Sequence, residues 1–377
     1  MTDTQEQDPV ERYLAQVLAD CGEDESGHVP SEAELADTEG SESADGEQQS
    51  SQSGEEQSGE EQSDEEQSDA EPVRHALAVV TAAGAEYAAG DREHLFTIQS
   101  ISKPFVYAMA LDEIGHDGVR QAVGMEPSGE AFNELSLEGG TGRPLNPMIN
   151  AGAIATHQLI SGAHGEPSVL PATASRAGRT DEVRRRTARI IAGLSAFAGR
   201  RLQVDWATAD EEYEEGYRNF AIAHMLRTHH VFDAAPAHVV RGYIDQCAVL
   251  VTVQDIARMA ATLANNGVHP ESGTRVISAR AARQTLSVMA TCGMYDASGR
   301  WLTEIGIPAK SGVSGGIIGV LPGQLGLASF APRLNDEGNS VQGVEMFKRL
   351  TDDFGLHLMA SDRVDIADNL HQGQPSD

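Results

Sequence analysis

The chain has 377 residues, 40% of them hydrophobic, enough to bury a sizeable core, and its formal net charge is −31. Residues 21–72 hold 19 Asp or Glu and no Lys or Arg, so the remainder carries −12 (−31 less −19). Such acidity excludes nucleic acid and anionic membranes as expected partners; no stretch approaches the ~18 apolar residues of a membrane span, and three widely spaced cysteines give no disulfide framework.

Residues 9–20 (PVERYLAQVLAD) have apolar positions at helical spacing and predict a short amphipathic helix within an N-terminal unit, residues 1–21. That unit has neither the basic nor the apolar region of a secretory signal, so the reading is cytoplasmic. Residues 22–72 form a low-complexity acidic insertion in which GEEQS, GEEQS and DEEQS follow one another. They bury too little apolar surface to offset ordering entropy, and disorder is expected. A catalytic domain over residues 73–360 and a tail over 361–377 complete the expected organisation. HALAVVT and EYAAG, around a turn, predict a hairpin. Residues 100–114 (SISKPFVYAMALDEI) predict a largely buried helix, with Pro104 tolerated in its first turn. DEVRRRTARIIAGLSAFAG predicts another, whose arginine run at 184–186 reads as a solvated face. Thr252 and Asp255 form a capping box opening a helix that closes at Asn266-Gly267. GGIIGVLPGQLGLASFAP predicts two strands around a Pro-Gly turn, and SVQGVEMFKRLTDDFG a last amphipathic helix. Strands at both ends around a helical middle imply an α+β fold, with N- and C-terminal segments sharing one antiparallel sheet beside a mostly helical subdomain.

The chemistry begins at Ser100-Ile101-Ser102-Lys103. A serine hydroxyl is a poor nucleophile until a base removes its proton, and one helical turn brings the Lys103 amine beside it. Burial and the positive end of the helix dipole both disfavour the ammonium form, leaving an amine that can act as base. Lys310-Ser311-Gly312, on or before a predicted strand, could add an oxyanion N–H and a cationic edge. Only three lysines occur, at 103, 310 and 348, so two of the three fall within these motifs.

FTIQSISKPFVYAMALDEIG, VGMEPSGEAFNELSLEGGTGRPLNPMINAGAI, EEYEEGYRNFAIAHML, YIDQCAV, TLSVMATCGMYDASG and IPAKSGVSGGI, in that order, resemble the serine-dependent glutaminase family. The resemblance spans about residues 73–350 and implies the serine β-lactamase and penicillin-binding-protein architecture. It implies a glutaminase that hydrolyses L-glutamine through a seryl acyl-enzyme. Carried over by position, Ser100 matches the nucleophile, Lys103 the base and Asn150 a substrate-binding amide. Glu212 and Asn219 match the acid and amide holding the amino-acid head of glutamine, and Tyr243 and Tyr295 match pocket tyrosines. Protonation of the leaving ammonia is expected to pass through Tyr295 and Lys103. Val313 matches the residue whose N–H completes the oxyanion hole. The family further implies a homodimer or homotetramer.

One departure stands out: family members carry a V-A-x-Y-I-P segment whose tyrosine reaches the site, whereas the comparable residues 27–35 (GHVPSEAEL) contain none. The thirteen histidines show no metal-ligand spacing and GGTGRP reads as a turn, so neither metal nor cofactor is expected. Two other readings stay open. One is a β-lactamase or D,D-peptidase on the same scaffold, which has no use for Asn150, Glu212 and Asn219. The other is a catalytically weakened relative that binds glutamine or a partner.

Overall fold

A computed structural model describes residues 8–30, 74–128, 136–166, 170 and 179–360. The acidic insertion from residue 31 to 72 and the tail from 361 lie outside the described residues. The N-terminal part carries α1 (Pro9–Gly22), β1 (Ala76–Thr81), β2 (Glu86–Gly90), β3 (Phe96–Thr97) and α2 (Ser102–Ala122). Two short strands interrupt a helical middle: α3 (Asn150–Leu159), α4 (Asp181–Ala198), β4 (Gln203–Val204), α5 (Trp206–Glu215), α6 (Tyr217–Thr228), α7 (Pro236–Cys247), β5 (Val249–Val251), α8 (Val253–Ala264) and α9 (Ala279–Cys292). Strands then return: α10 (Ser298–Glu304), β6 (Ala309–Ser311), β7 (Gly316–Leu321), β8 (Leu325–Phe330) and α11 (Val341–Phe354).

The five-stranded sheet has the order β2-β1-β8-β7-β6, all antiparallel, so both ends of the chain meet in it as expected. Ala76 opposes Phe330 and Val80 opposes Gly326, which seams the N-terminal hairpin to the C-terminal one. Alternation along the strands divides the core. Ala76, Ala78, Val80, Ile318, Val320 and Ala328 face the helical subdomain, where α8 lies across the sheet. Leu77, Val79, Ile317, Leu325 and Leu327 face α1 and α11 on the other side. In α1, Val10, Leu14, Val17 and Leu18 make the buried stripe, and Asp8 caps the helix through the N–H of Val10 at 2.8 Å.

Three local expectations change. Residues 99–101 form a 3-10 turn before α2, and α2 runs on to Ala122 with a break at Gly115 (φ 78°, ψ 161°). Asp24 and His28, inside the acidic tract, belong to the fold: His28 pairs with Leu334 in an antiparallel bridge, and Gln342 donates to the Asp24 carbonyl. Arg186 is not on a solvated face; it is buried and donates from Nε to the Ile160 carbonyl at 3.0 Å. The capping box forms as read, with the Thr252 side chain accepting from Asp255 N and the Asp255 side chain accepting from Thr252 N.

Candidate active site

The second, small sheet (β3-β5-β4) aims the nucleophile segment. Phe96 pairs with Val251 and Thr97 with Leu250, and Ile98 N donates to Val249 O at 2.8 Å. With residue 98 pinned, the chain turns at Gln99, whose φ of +46° is left-handed and costly for a residue with a Cβ. Four described non-glycine residues have positive φ, and two of them, Gln99 and Tyr295, adjoin the two candidate catalytic motifs. Strain concentrated there is the pattern of a functional site. Ser100, in the 3-10 turn, is 5% exposed, and Lys103, in the first turn of α2, is 1% exposed.

Lys103 Nζ donates to Asn150 Oδ1 at 2.5 Å, tying the amine to the first residue of α3. That leaves Asn150 Nδ2 buried with no hydrogen-bond partner among the described residues. Gln99 reaches the other way, donating from Nε2 to Glu212 Oε1 on α5 at 2.6 Å and to Thr97 Oγ1 at 3.2 Å. Glu212 is 8% exposed, far from bulk solvent. Asn219, on α6, is buried with its Oδ1 unpartnered, and Tyr243, on α7, is fully buried. α3 packs on α2, α6 and α7, and the Ser100 turn packs on α7, β6 and β7, so the elements bearing these residues converge.

From the sheet edge, β6 presents Lys310 and Ser311, both fully buried. A Cβ on Gly312 would stand 3.2 Å from the Ile101 side chain and 3.3 Å from the Ile98 carbonyl, so glycine allows this strand to press against the Ser100 turn. Val313 follows in a tight turn closed by Gly312 N to Gly316 O and Gly315 N to Gly312 O, each 2.9 Å. Lys310 Nζ donates to the Ser311 carbonyl at 2.6 Å and lies 4.1 Å above the Tyr295 ring. Tyr295 Oη donates to the same carbonyl at 3.3 Å, while Ser311 Oγ is buried without a partner. A cavity of about 210 Å³ opens beside Tyr295, between Asn146–Ile149 and Thr291–Gly299. Its wall includes Tyr295 but not Ser100, so it adjoins the nucleophile's surroundings without enclosing them.

Behind the motif runs a buried polar chain. Gln246 of α7 donates from Nε2 to Ser102 Oγ at 2.9 Å, and its Oε1 lies 3.0 Å from His157 Nδ1 on α3. The amide orientation makes His157 the donor, so Nδ1 carries the proton. Burial, helped by the charge of Arg186, pushes the His157 pKa down to about 3, so the ring is neutral.

Direct contacts thus join Lys103 to Asn150, Glu212 to the residue preceding Ser100, and Tyr295 to the Lys310-Ser311 strand. Asn219, Tyr243 and Val313 are brought near by the packing of their elements. Gln99 escaped the sequence reading. Its only mark there is a long amide inside a mainly apolar run, and its link to Glu212 spans 113 positions. In the segment lacking the family tyrosine, His28 holds its backbone against Leu334 (N to O, 3.1 Å), and residues 31–35 lie outside the described residues.

The chain matches the family described as Glutaminase over residues 65–359. Glutaminases of Corynebacterium efficiens and Corynebacterium glutamicum are each 52% identical to it, over 78% of this chain and 66% and 67% of their own lengths respectively. The chain therefore spans about two thirds of those relatives. The crystal structure of Mglu in its glutamate form superposes with a TM-score of 0.77 at 42% identity, covering 94% of this chain and 71% of that one. The structure of the probable glutaminase ybaS gives a TM-score of 0.69 at 34% identity, over 76% and 88% of the two chains.

Proposed function

Since the chain belongs to the glutaminase family, we propose that it hydrolyses L-glutamine to L-glutamate and ammonia through an acyl-enzyme on Ser100. Lys103 takes the Ser100 proton as Oγ bonds to the side-chain carbonyl carbon. N–H groups of Ser100 and Val313 hold the oxyanion. The C–N bond breaks as Tyr295 and Lys103 return the proton to the leaving nitrogen, and water then cleaves the ester to glutamate. Glu212 takes the substrate ammonium; Asn150, Asn219 and Tyr243 take its other polar groups.

The observation that carries this reading is the set of buried, unpartnered atoms around the serine and lysine. Asn150 Nδ2 offers a donor, Asn219 Oδ1 an acceptor and Ser311 Oγ either. Each costs roughly 1–3 kcal/mol if left unsatisfied, which a polar zwitterionic ligand would relieve. The reacting nucleus of a β-lactam carries no ammonium, so that chemistry does not call for Glu212. Ammonia release from L-glutamine by the parent and by Ser100→Ala tests the reading: loss of turnover in the variant is expected, and equal rates would end it.

No described helix is long and apolar enough to cross a membrane. We place the protein in the cytoplasm on the strength of its three free cysteines, and expect the homodimer or homotetramer its resemblance implies. We assign the acidic segment read over residues 22–72, of which 31–72 lie outside the described residues, the role of a repulsive tether.

A further inference from the structure

A buried ionic network joins α5 and α7, the helices that carry Glu212 and Tyr243. Arg179, just before α4, donates from Nε to both oxygens of Asp245 at 2.9 and 3.0 Å, and its Nη1 lies 2.9 Å from Asp210 Oδ1. Arg241 donates from Nη2 to that same Asp210 oxygen, and its Nε lies 3.6 Å from Asp245 Oδ1. Thr187 of α4 adds a hydroxyl at 3.3 Å from Asp245 Oδ2. The Arg179 guanidinium lies 4.8 Å from the Trp206 ring centre, and that of Arg241 lies 4.6 Å from the Tyr213 ring centre. Both arginine side chains and Asp245 are at most 1% exposed, while Asp210 is 43% exposed.

Helical phase sets this network against the site. Glu212 lies two residues beyond Asp210, and Tyr243 lies midway between Arg241 and Asp245. Two residues turn about 200° around a helix axis, so the network and the two site residues occupy opposite faces of α5 and α7. Stability alone does not account for it. Taking charges out of water costs several kcal/mol each, a well-packed apolar cluster would serve as well, and Arg241 Nε and Nη1 remain without hydrogen bonds. What an apolar cluster cannot supply is direction: two planar guanidinium forks sharing two carboxylates fix where one helix lies relative to the other.

We propose that Arg179 and Arg241 are positioning residues that set the spacing of α5 and α7, and thereby the fit of Glu212 and Tyr243 to the amino-acid end of the substrate. The proposal rests on the role given above to Glu212 and Tyr243. It predicts a larger effect on binding than on chemistry: Glu212 and Tyr243 ride on α5 and α7 themselves, whereas Ser100 and Lys103 belong to α2 and its preceding turn and are tied to those helices through Gln99 and Gln246.

The test uses the full chain, with calorimetric binding of L-glutamate, which needs no turnover, beside kcat and KM for L-glutamine and thermal melting. Arg241→Met should raise the Kd for L-glutamate and the KM about tenfold, with kcat within about threefold of the parent. Asp210→Asn, which keeps the side chain's size and a hydrogen-bonding oxygen at a position 43% exposed, should raise both about threefold and keeps the test alive if Arg241→Met fails to fold. A lowered melting temperature with unchanged Kd and KM, or a fall in kcat at constant KM, overturns the proposal. A parent that binds L-glutamate without releasing ammonia overturns the proposed reaction and leaves the Kd comparison to judge the network. A parent that binds no L-glutamate overturns both.

Discussion

Acid should destabilise the fold through one identifiable imidazole. His157 is buried beside Gln246 with its pKa pushed from 6.5 down to about 3, burial being the main cause. A folded value below the unfolded one means that the unfolded chain binds the proton more readily. The stability from the neutral ring is therefore complete above pH 6.5 and is lost as pH falls toward 3. The full difference of 3.5 pKa units corresponds to about 5 kcal/mol, at 1.36 kcal/mol per unit. At pH 5 the loss depends almost wholly on the unfolded value and comes to about 2 kcal/mol. His157→Gln keeps an amide donor for Gln246 and removes the titration. Urea unfolding of parent and variant, followed by circular dichroism at pH 7.5 and pH 5, should show the stability gap between them narrowing by about 2 kcal/mol. His75 and His269, whose pKa values burial also lowers, are present in both proteins and cancel. A gap that stays constant to within about 0.5 kcal/mol would refute the argument.

Lys103→Met should lower kcat on the order of 10³-fold while L-glutamate still binds, as seen by ammonia release beside calorimetry. Glu212→Gln removes the anion set to meet the substrate ammonium and should raise KM roughly 10- to 100-fold. Gln99→Leu should weaken binding in the same direction by a smaller factor, since it unties Glu212 from the nucleophile turn. Gly152→Ala would place a Cβ 1.8 Å from the Asn146 carbonyl, pushing the head of α3 and Asn150 away. A loss of about 3 kcal/mol or more is expected, read as a lower melting temperature together with a lower kcat.

Much of the fold was legible because strand and turn signals are local. HALAVVT runs into the AAGA turn and GGIIGVL into a Pro-Gly turn, and the sheet they build is covered on both faces, which is why every residue of β1, β7 and β8 is buried rather than every second one. The buried Arg186 was hidden inside a basic run whose charge suggested water. Helical phase shows otherwise: Arg186 shares a face with Val183 and Ile190, three before and four after it, and both are buried. The 3-10 turn at Ser100 was not readable at all, since it follows from the pairing of β3 with β5 more than 150 residues away. Gln99 belongs to the same class. Its backbone is forced by what precedes it, and its amide is used by a carboxylate on another helix.

The choice of basic residue makes the last connection between composition and chemistry. Arginine supplies 24 of the 27 basic residues, yet both amines beside Tyr295 and Ser100 are lysines. Arginine serves wherever the chain needs permanent charge and a rigid fork, as at Arg179, Arg186 and Arg241. It cannot take up the Ser100 proton, because a guanidinium never gives up its own under ordinary conditions. An amine that is to act as base must be able to exist without its charge, and at position 103 only lysine meets that condition on a stem long enough to touch Asn150. Of the three lysines, Lys103 and Lys310 lie buried in the two motifs and Lys348 stands exposed on α11.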